Sequence, residues 1–207
     1  MKVLRILMKL VLILIIINIV VIGGYFIKLN KNNSINKEQE VLVIDKIDSF
    51  DYVLDNNKNE YYKTLFNELK EVLSEEEINY DEYVKALSKL FISDLFTLSN
   101  KVSSGDVGGI EFVYKDFQKD FLSIAKTTLY KSVKSNIYGE RIQELPTVTN
   151  ILIEEIENIE FKYKDIVYDD AYSVNLKMEY EKDLGYQSNC ELILIKTENK
   201  LEVAKLS

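Results

Sequence analysis

The stretch from Tyr172 to Tyr180 alternates without an error: Tyr172, Val174, Leu176, Met178 and Tyr180 are apolar or aromatic, and Ser173, Asn175, Lys177 and Glu179 between them are polar. A side-chain period of two belongs to a β-strand with one face covered and the other wet, and no helix satisfies it. Ile159-Glu-Phe161-Lys-Tyr163 shows the same alternation upstream. Cys190 to Ile195 is apolar on both faces, and Leu201 to Leu206 reads as its hairpin partner across Thr197-Glu-Asn-Lys200. Together these segments predict three or four strands of an antiparallel sheet.

Upstream the period changes to that of helices. Tyr61, Tyr62, Leu65, Phe66, Leu69, Val72 and Leu73 form one stripe, with Lys and Glu between them. Asn79 and Glu82 have the spacing of a capping box, and Val84, Leu87, Leu90, Phe91, Leu95 and Leu98 supply the apolar face that follows. A third helix is expected from Asp116 as N-cap, with Phe117, Phe121, Ile124, Ala125, Thr128 and Leu129 on its inner side before Val133. Gly105, Gly108 and Gly109 make the connection before it a turn, leading into a short extended piece from Ile110 to Tyr114. Pro146 closes the helical part. The fold class predicted is α+β, with three helices on one face of a curved antiparallel sheet.

The N-terminal end carries a different signal. Leu10 to Ile27 holds no charged side chain and one strongly polar one, Asn18. As a helix this run covers roughly 27 Å, close to a hydrocarbon core. The reading preferred is a retained single transmembrane anchor. The rival is a cleaved signal peptide, suggested by Lys2, Arg5 and Lys9 before the run and the small pair Gly23-Gly24 within it. Lys28, Lys31, Lys37 and Lys46 nearly balance the basic residues before the span, so charge alone orients it poorly. The short tail favours a cytoplasmic N-terminus and an extracytoplasmic domain at the cell membrane. The organisation expected is therefore a cytoplasmic tail (1–9), an anchor (10–27), a tether with a strand or extended lead-in (28–50), and one domain (51–207).

Composition limits the chemistry. Histidine is absent, which removes imidazole acid–base catalysis and histidine zinc sites. The single cysteine, Cys190, forms no internal disulfide and reads as an inert core thiol. The chain holds 34 acidic and 26 basic residues, and three of the basic ones precede the anchor. So acidic a remainder argues against a nucleic-acid partner. Glu75-Glu76-Glu77 and Asp169-Asp170 lack the spacing of a calcium loop, so no metal and no cofactor is expected.

The element order, with the clean strand from Tyr172 to Tyr180, resembles the nuclear transport factor 2-like superfamily, also called the cystatin-like cone, over roughly residues 51–207. Its members range from dehydratases and isomerases to transport adaptors and scaffold domains, so the resemblance implies a fold more than an activity. The layout of short tail, single span and one cone is similar to that of membrane-anchored assembly components of conjugation and type IV secretion systems. Enzymes of the superfamily work inside the cone with an inward acid, base or tyrosine. The inward set read from the alternation (Ile159, Phe161, Tyr163, Tyr172, Val174, Leu176, Met178 and Tyr180) contains no carboxylate, and Glu160, Lys162, Lys177 and Glu179 fall on the wet face.

Asp94 is the one helical carboxylate beside an apolar stripe. Desolvated there, it would have a raised pKa and could act as a base; the plainer reading is that it satisfies backbone N–H groups of the glycine loop. Asp94, Tyr163, Tyr172 and Tyr180 are thus the candidate pocket-lining residues. Gly105-Asp-Val-Gly-Gly109 lacks the Lys-Ser/Thr of a phosphate loop and reads as a turn. Glu140, Arg141 and Glu144 form a corner suited to surface ion pairing or to partner docking, and Tyr186 sits in the connection from Lys182 to Gln187. The function expected is a non-catalytic, membrane-anchored extracytoplasmic interaction or scaffold domain of a bacterial envelope, with a protein partner or self-association. A small-molecule-binding cone is the alternative, and an isomerase- or dehydratase-like enzyme using Asp94 the third.

Overall fold

The structure, a computed structural model, describes residues 42–198 and 200–207. The tail, anchor and tether read from the sequence up to residue 41 lie outside the described residues. No helix among the described residues is long and apolar enough to cross a membrane. The compact unit runs from Val41 to Ser207.

The expected lead-in is a hairpin. Strand β1 (Val43–Ile47) pairs antiparallel with β2 (Tyr52–Asp55) around a turn at Asp48–Phe50. Helices α1 (Glu60–Ser74) and α2 (Tyr80–Phe96) follow. Each begins at an asparagine whose side-chain oxygen accepts a backbone N–H: Asn59 from Tyr62, and Asn79 from Asp81 and Glu82. Tyr62, Leu65, Phe66 and Leu69 of the first stripe are buried, as are Val84, Leu87, Leu90, Phe91 and Leu95 of the second.

The third helix departs from expectation. Helix α3 spans only Gln118–Thr127, after a 3-10 turn at Lys115–Phe117, so Asp116 is not its cap. Leu129 and Val133 lie beyond its end. The expected extended piece from Ile110 to Tyr114 is a 3-10 turn over Ile110–Phe112, with Val113 forming a single parallel bridge to Val203.

Four strands complete the fold in the order β3 (Val148–Tyr163), β4 (Ile166–Tyr180), β5 (Asn189–Thr197) and β6 (Lys200–Leu206), each antiparallel to the next. Among the described residues the fold is α+β, with three helices and a curved antiparallel sheet. Val174, Leu176 and Met178 are buried, whereas Lys177 and Glu179 are exposed, as the alternation requires. Strand β5 is buried on both faces, from Leu192 to Ile195.

Strand β3 is longer than its sequence pattern, and its pairing with β4 is irregular at three points, after Val148, after Ile153 and after Ile159. Ile153 faces Leu176 and Glu155 faces Asn175, so one extra residue is accommodated and Ile156 returns to the side of Val174. Between Ile159 (opposite Ala171) and Phe161 (opposite Tyr168) the register shifts again. The extra residue at this shift lies in β4, where Asp169 and Asp170 stand against Glu160 alone, so Ile159, Phe161 and Tyr163 keep one face and all three pack against the core.

Candidate functional site

The glycine connection and α2 meet in a polar pocket of about 250 Å3, lined by Asp51, Asp55, Lys58, Asp94, Lys101, Asp106, Gly108 and Glu111 among others. Asp94 is at its base, 2% exposed. Its Oδ1 accepts from the Lys101 Nζ at 2.6 Å and from the Lys58 Nζ at 2.7 Å, and its Oδ2 accepts from the Gly109 N–H at 2.8 Å. Gly108 lets the loop approach this closely: a Cβ there would lie 2.3 Å from the Asp94 carbonyl oxygen and 2.6 Å from the Lys101 Nζ. Gly109 takes φ +74°, the left-handed region that glycine enters without strain. The Tyr130 hydroxyl donates to the Leu95 carbonyl at 2.7 Å and accepts the Gly108 N–H at 3.0 Å, locking the loop from its other side.

This geometry decides what Asp94 can do. Burial alone would push its carboxyl up, but the Lys101 and Lys58 ammoniums outweigh burial and hold it at about 2, below the usual carboxylate range. The raised pKa needed for a base is not found. With three donors on its two oxygens, Asp94 is a permanent anion that fastens two lysines and the glycine loop. Glu111 shares the pocket, and desolvation of its carboxyl together with the negative charge of Asp94 raises its pKa.

A second cavity has the opposite character. Between α3 and β6 lies a groove of about 450 Å3 whose lining is mostly apolar, with Phe96, Phe117, Phe121, Ile124, Tyr163, Val203 and Leu206 among its walls and Asp120, Thr128, Gln187, Lys205 and Ser207 as its polar members. The end of β3 reaches it because Tyr163 meets the Phe117 ring edge-on at 4.3 Å. Ile124 stays 62% exposed.

The candidate residues are thus dispersed. Tyr163 lines the apolar groove and Asp94 the polar pocket. Tyr172 and Tyr180 line neither. The Tyr180 hydroxyl donates to the Gln187 carbonyl at 2.7 Å, closing the connection after β4, and burial raises its pKa. Burial likewise raises that of half-buried Tyr172. Tyr186 is half-buried against the core, not fully exposed. Arg141 donates to the carbonyls of Lys101 and Ser99, both at 2.7 Å, and to that of Lys134 at 3.2 Å, so its guanidinium staples two loops. Glu144 pairs instead with Lys182 at 2.5 Å, and Glu140 is exposed.

Cys190 is buried and its thiol is pushed up to about 12 by burial, as befits an unreactive core sulfur. Among the described residues no cluster of three or more His, Cys, Asp or Glu side chains could hold a metal ion. Sequence reasoning missed Lys58, Lys101 and Tyr130. Only Lys101 left a trace, as the cation opening the glycine connection. No family model, curated protein or solved structure matches this chain.

Proposed function

We propose that this chain is a non-catalytic binding module, held at the extracytoplasmic side of a membrane by residues 10–27, whose working surface is the groove between α3 and β6. The observation that carries the reading is the groove itself: an apolar cleft of about 450 Å3 with Ile124 standing 62% exposed at its lip. Apolar surface gathered in a concave site is where ligands and partner side chains bind. The contrast with the polar pocket supports it further. There the buried carboxylate is neutralised by two lysines and has no proton to give or take near neutral pH. The cone resemblance and the envelope setting belong to this proposal and rest on element order and on the uncharged N-terminal run.

A photo-crosslinking residue placed at Ile124 of the full chain, in its own membrane, tests the reading. Lys177, exposed on the sheet, serves as the control position. The proposal expects a protein adduct from Ile124 and none from Lys177. Equal yields from the two positions, or none from either, would overturn it. The groove volume also lies within the range of small-molecule sites, and an adduct to a lipid or metabolite at Ile124 would transfer the surface to that second reading.

A further inference from the structure

Strand β6 is the last of its sheet, and its outer edge is filled unevenly. At Leu201 the N–H donates to the Tyr83 hydroxyl, and the carbonyl accepts from the Tyr52 hydroxyl, both at 3.3 Å. At Val203 the carbonyl accepts the Tyr114 N–H at 2.9 Å, with Val113 alongside as a single parallel bridge. The chain then leaves the edge for the turn at Lys115–Phe117. Further along, Ser207 exchanges both backbone bonds with Glu191, at 3.0 and 2.9 Å. In an antiparallel ladder such pairs alternate with pairs whose backbone groups point away from each other. Leu206, opposite Leu192, is therefore turned outward, and among the described residues nothing meets its N–H or its carbonyl.

That vacancy opens onto the apolar groove, which Leu206 lines with Val203 on one side and Phe121, Ile124 and Ala125 of α3 on the other. We propose that the groove takes an extended, apolar segment of a partner protein, which adds to β6 as a further strand through the backbone of Leu206. The inference rests on the groove being the binding surface, and it names the class of occupant. An alkyl chain or an aromatic molecule would cover the side chains but leave the Leu206 N–H and carbonyl dry and unpaired, which is costly. An extended peptide satisfies both requirements: its backbone bonds the edge, and every second side chain points into the groove. It continues the line that Val113 begins.

The test uses the full chain in lipid nanodiscs and an array of heptapeptides alternating Val, Ile, Leu or Phe with Thr or Ser. Each peptide is also made in two forms N-methylated at alternate residues, so that one or the other backbone edge is blocked. Binding of a subset of peptides is expected, weakened about tenfold or more by one methylation pattern and untouched by the other, as loss of a strand hydrogen bond requires. Ile124→Lys, at an exposed position that leaves the melting temperature unchanged, is expected to abolish binding. Equal binding of both methylated forms would overturn the strand inference. So would a failure of every peptide while dodecanoic acid binds in an Ile124-dependent way, and that outcome would leave the groove as the binding surface. Failure of both probes would remove the inference and the groove together.

Discussion

Lys101 and Asp94 form an ion pair of 2.6 Å in which the two side chains are only 5% and 2% exposed. The pair ties the end of α2 to the start of the glycine connection, and Lys58 joins it from the segment before α1. Removing one partner of a buried pair leaves an uncompensated charge, which costs about 3–5 kcal/mol. Asp94→Ala is therefore expected to lower stability by that amount in a denaturant titration. Adding Lys101→Met to it should recover part of the loss, because one of the two stranded cations is then gone.

Acid should undo the same cluster. The folded-state pKa of Asp94, about 2, lies below its ordinary value of 3.8. A depressed carboxylate contributes stability that is full above the ordinary value and fades as pH falls toward the folded one. The melting temperature should accordingly drop between pH 4 and 2, and the drop should be shallower in the Asp94→Ala chain. An identical acid limb in both would assign the effect to other carboxylates.

Glycine positions separate close approach from backbone conformation. Gly139 has φ +72° and open space around a would-be Cβ, so Gly139→Ala is expected to cost roughly 1–2 kcal/mol. At Gly108 the methyl would collide with the Asp94 carbonyl and the Lys101 ammonium. Gly108→Ala should cost about 3 kcal/mol or more, and thermal melts of the two variants check the ranking.

Much of this was legible in the sequence, and the failures have a common cause. The stripes from Tyr61 to Leu73 and from Val84 to Leu95 located α1 and α2, and the alternation from Tyr172 to Tyr180 located β4 with its faces. Gly109 near Asp94 was also anticipated, since a carboxylate at a stripe's edge beside a glycine loop has N–H groups to accept. What pattern could not supply was register. The extra residue between Ile153 and Glu155 and the shift after Ile159 leave no mark on a period-two count. Lys58, Lys101 and Tyr130 come from separate connections, and only the folded chain brings them to Asp94. Helix α3 stops at Thr127, although the apolar spacing continues to Val133.

Tyr130 offers a cleaner probe of the loop than its charges do. Its hydroxyl serves one donor and one acceptor of the backbone, at Gly108 and Leu95. Tyr130→Phe leaves both buried groups without a partner and should cost about 1–3 kcal/mol. Fluorescence-monitored unfolding measures it, and a neutral result would mean the loop is held by Asp94 alone.

Amide hydrogen exchange of the full chain, compared between lipid nanodiscs and the membranes of the cell that makes it, tests the binding-module account most directly. The account predicts added protection in the native membranes at α3 and at residues 203–207, the two walls of the groove, with residues 134–143 unchanged. Protection confined to 134–143, or no difference between the two preparations, would contradict it.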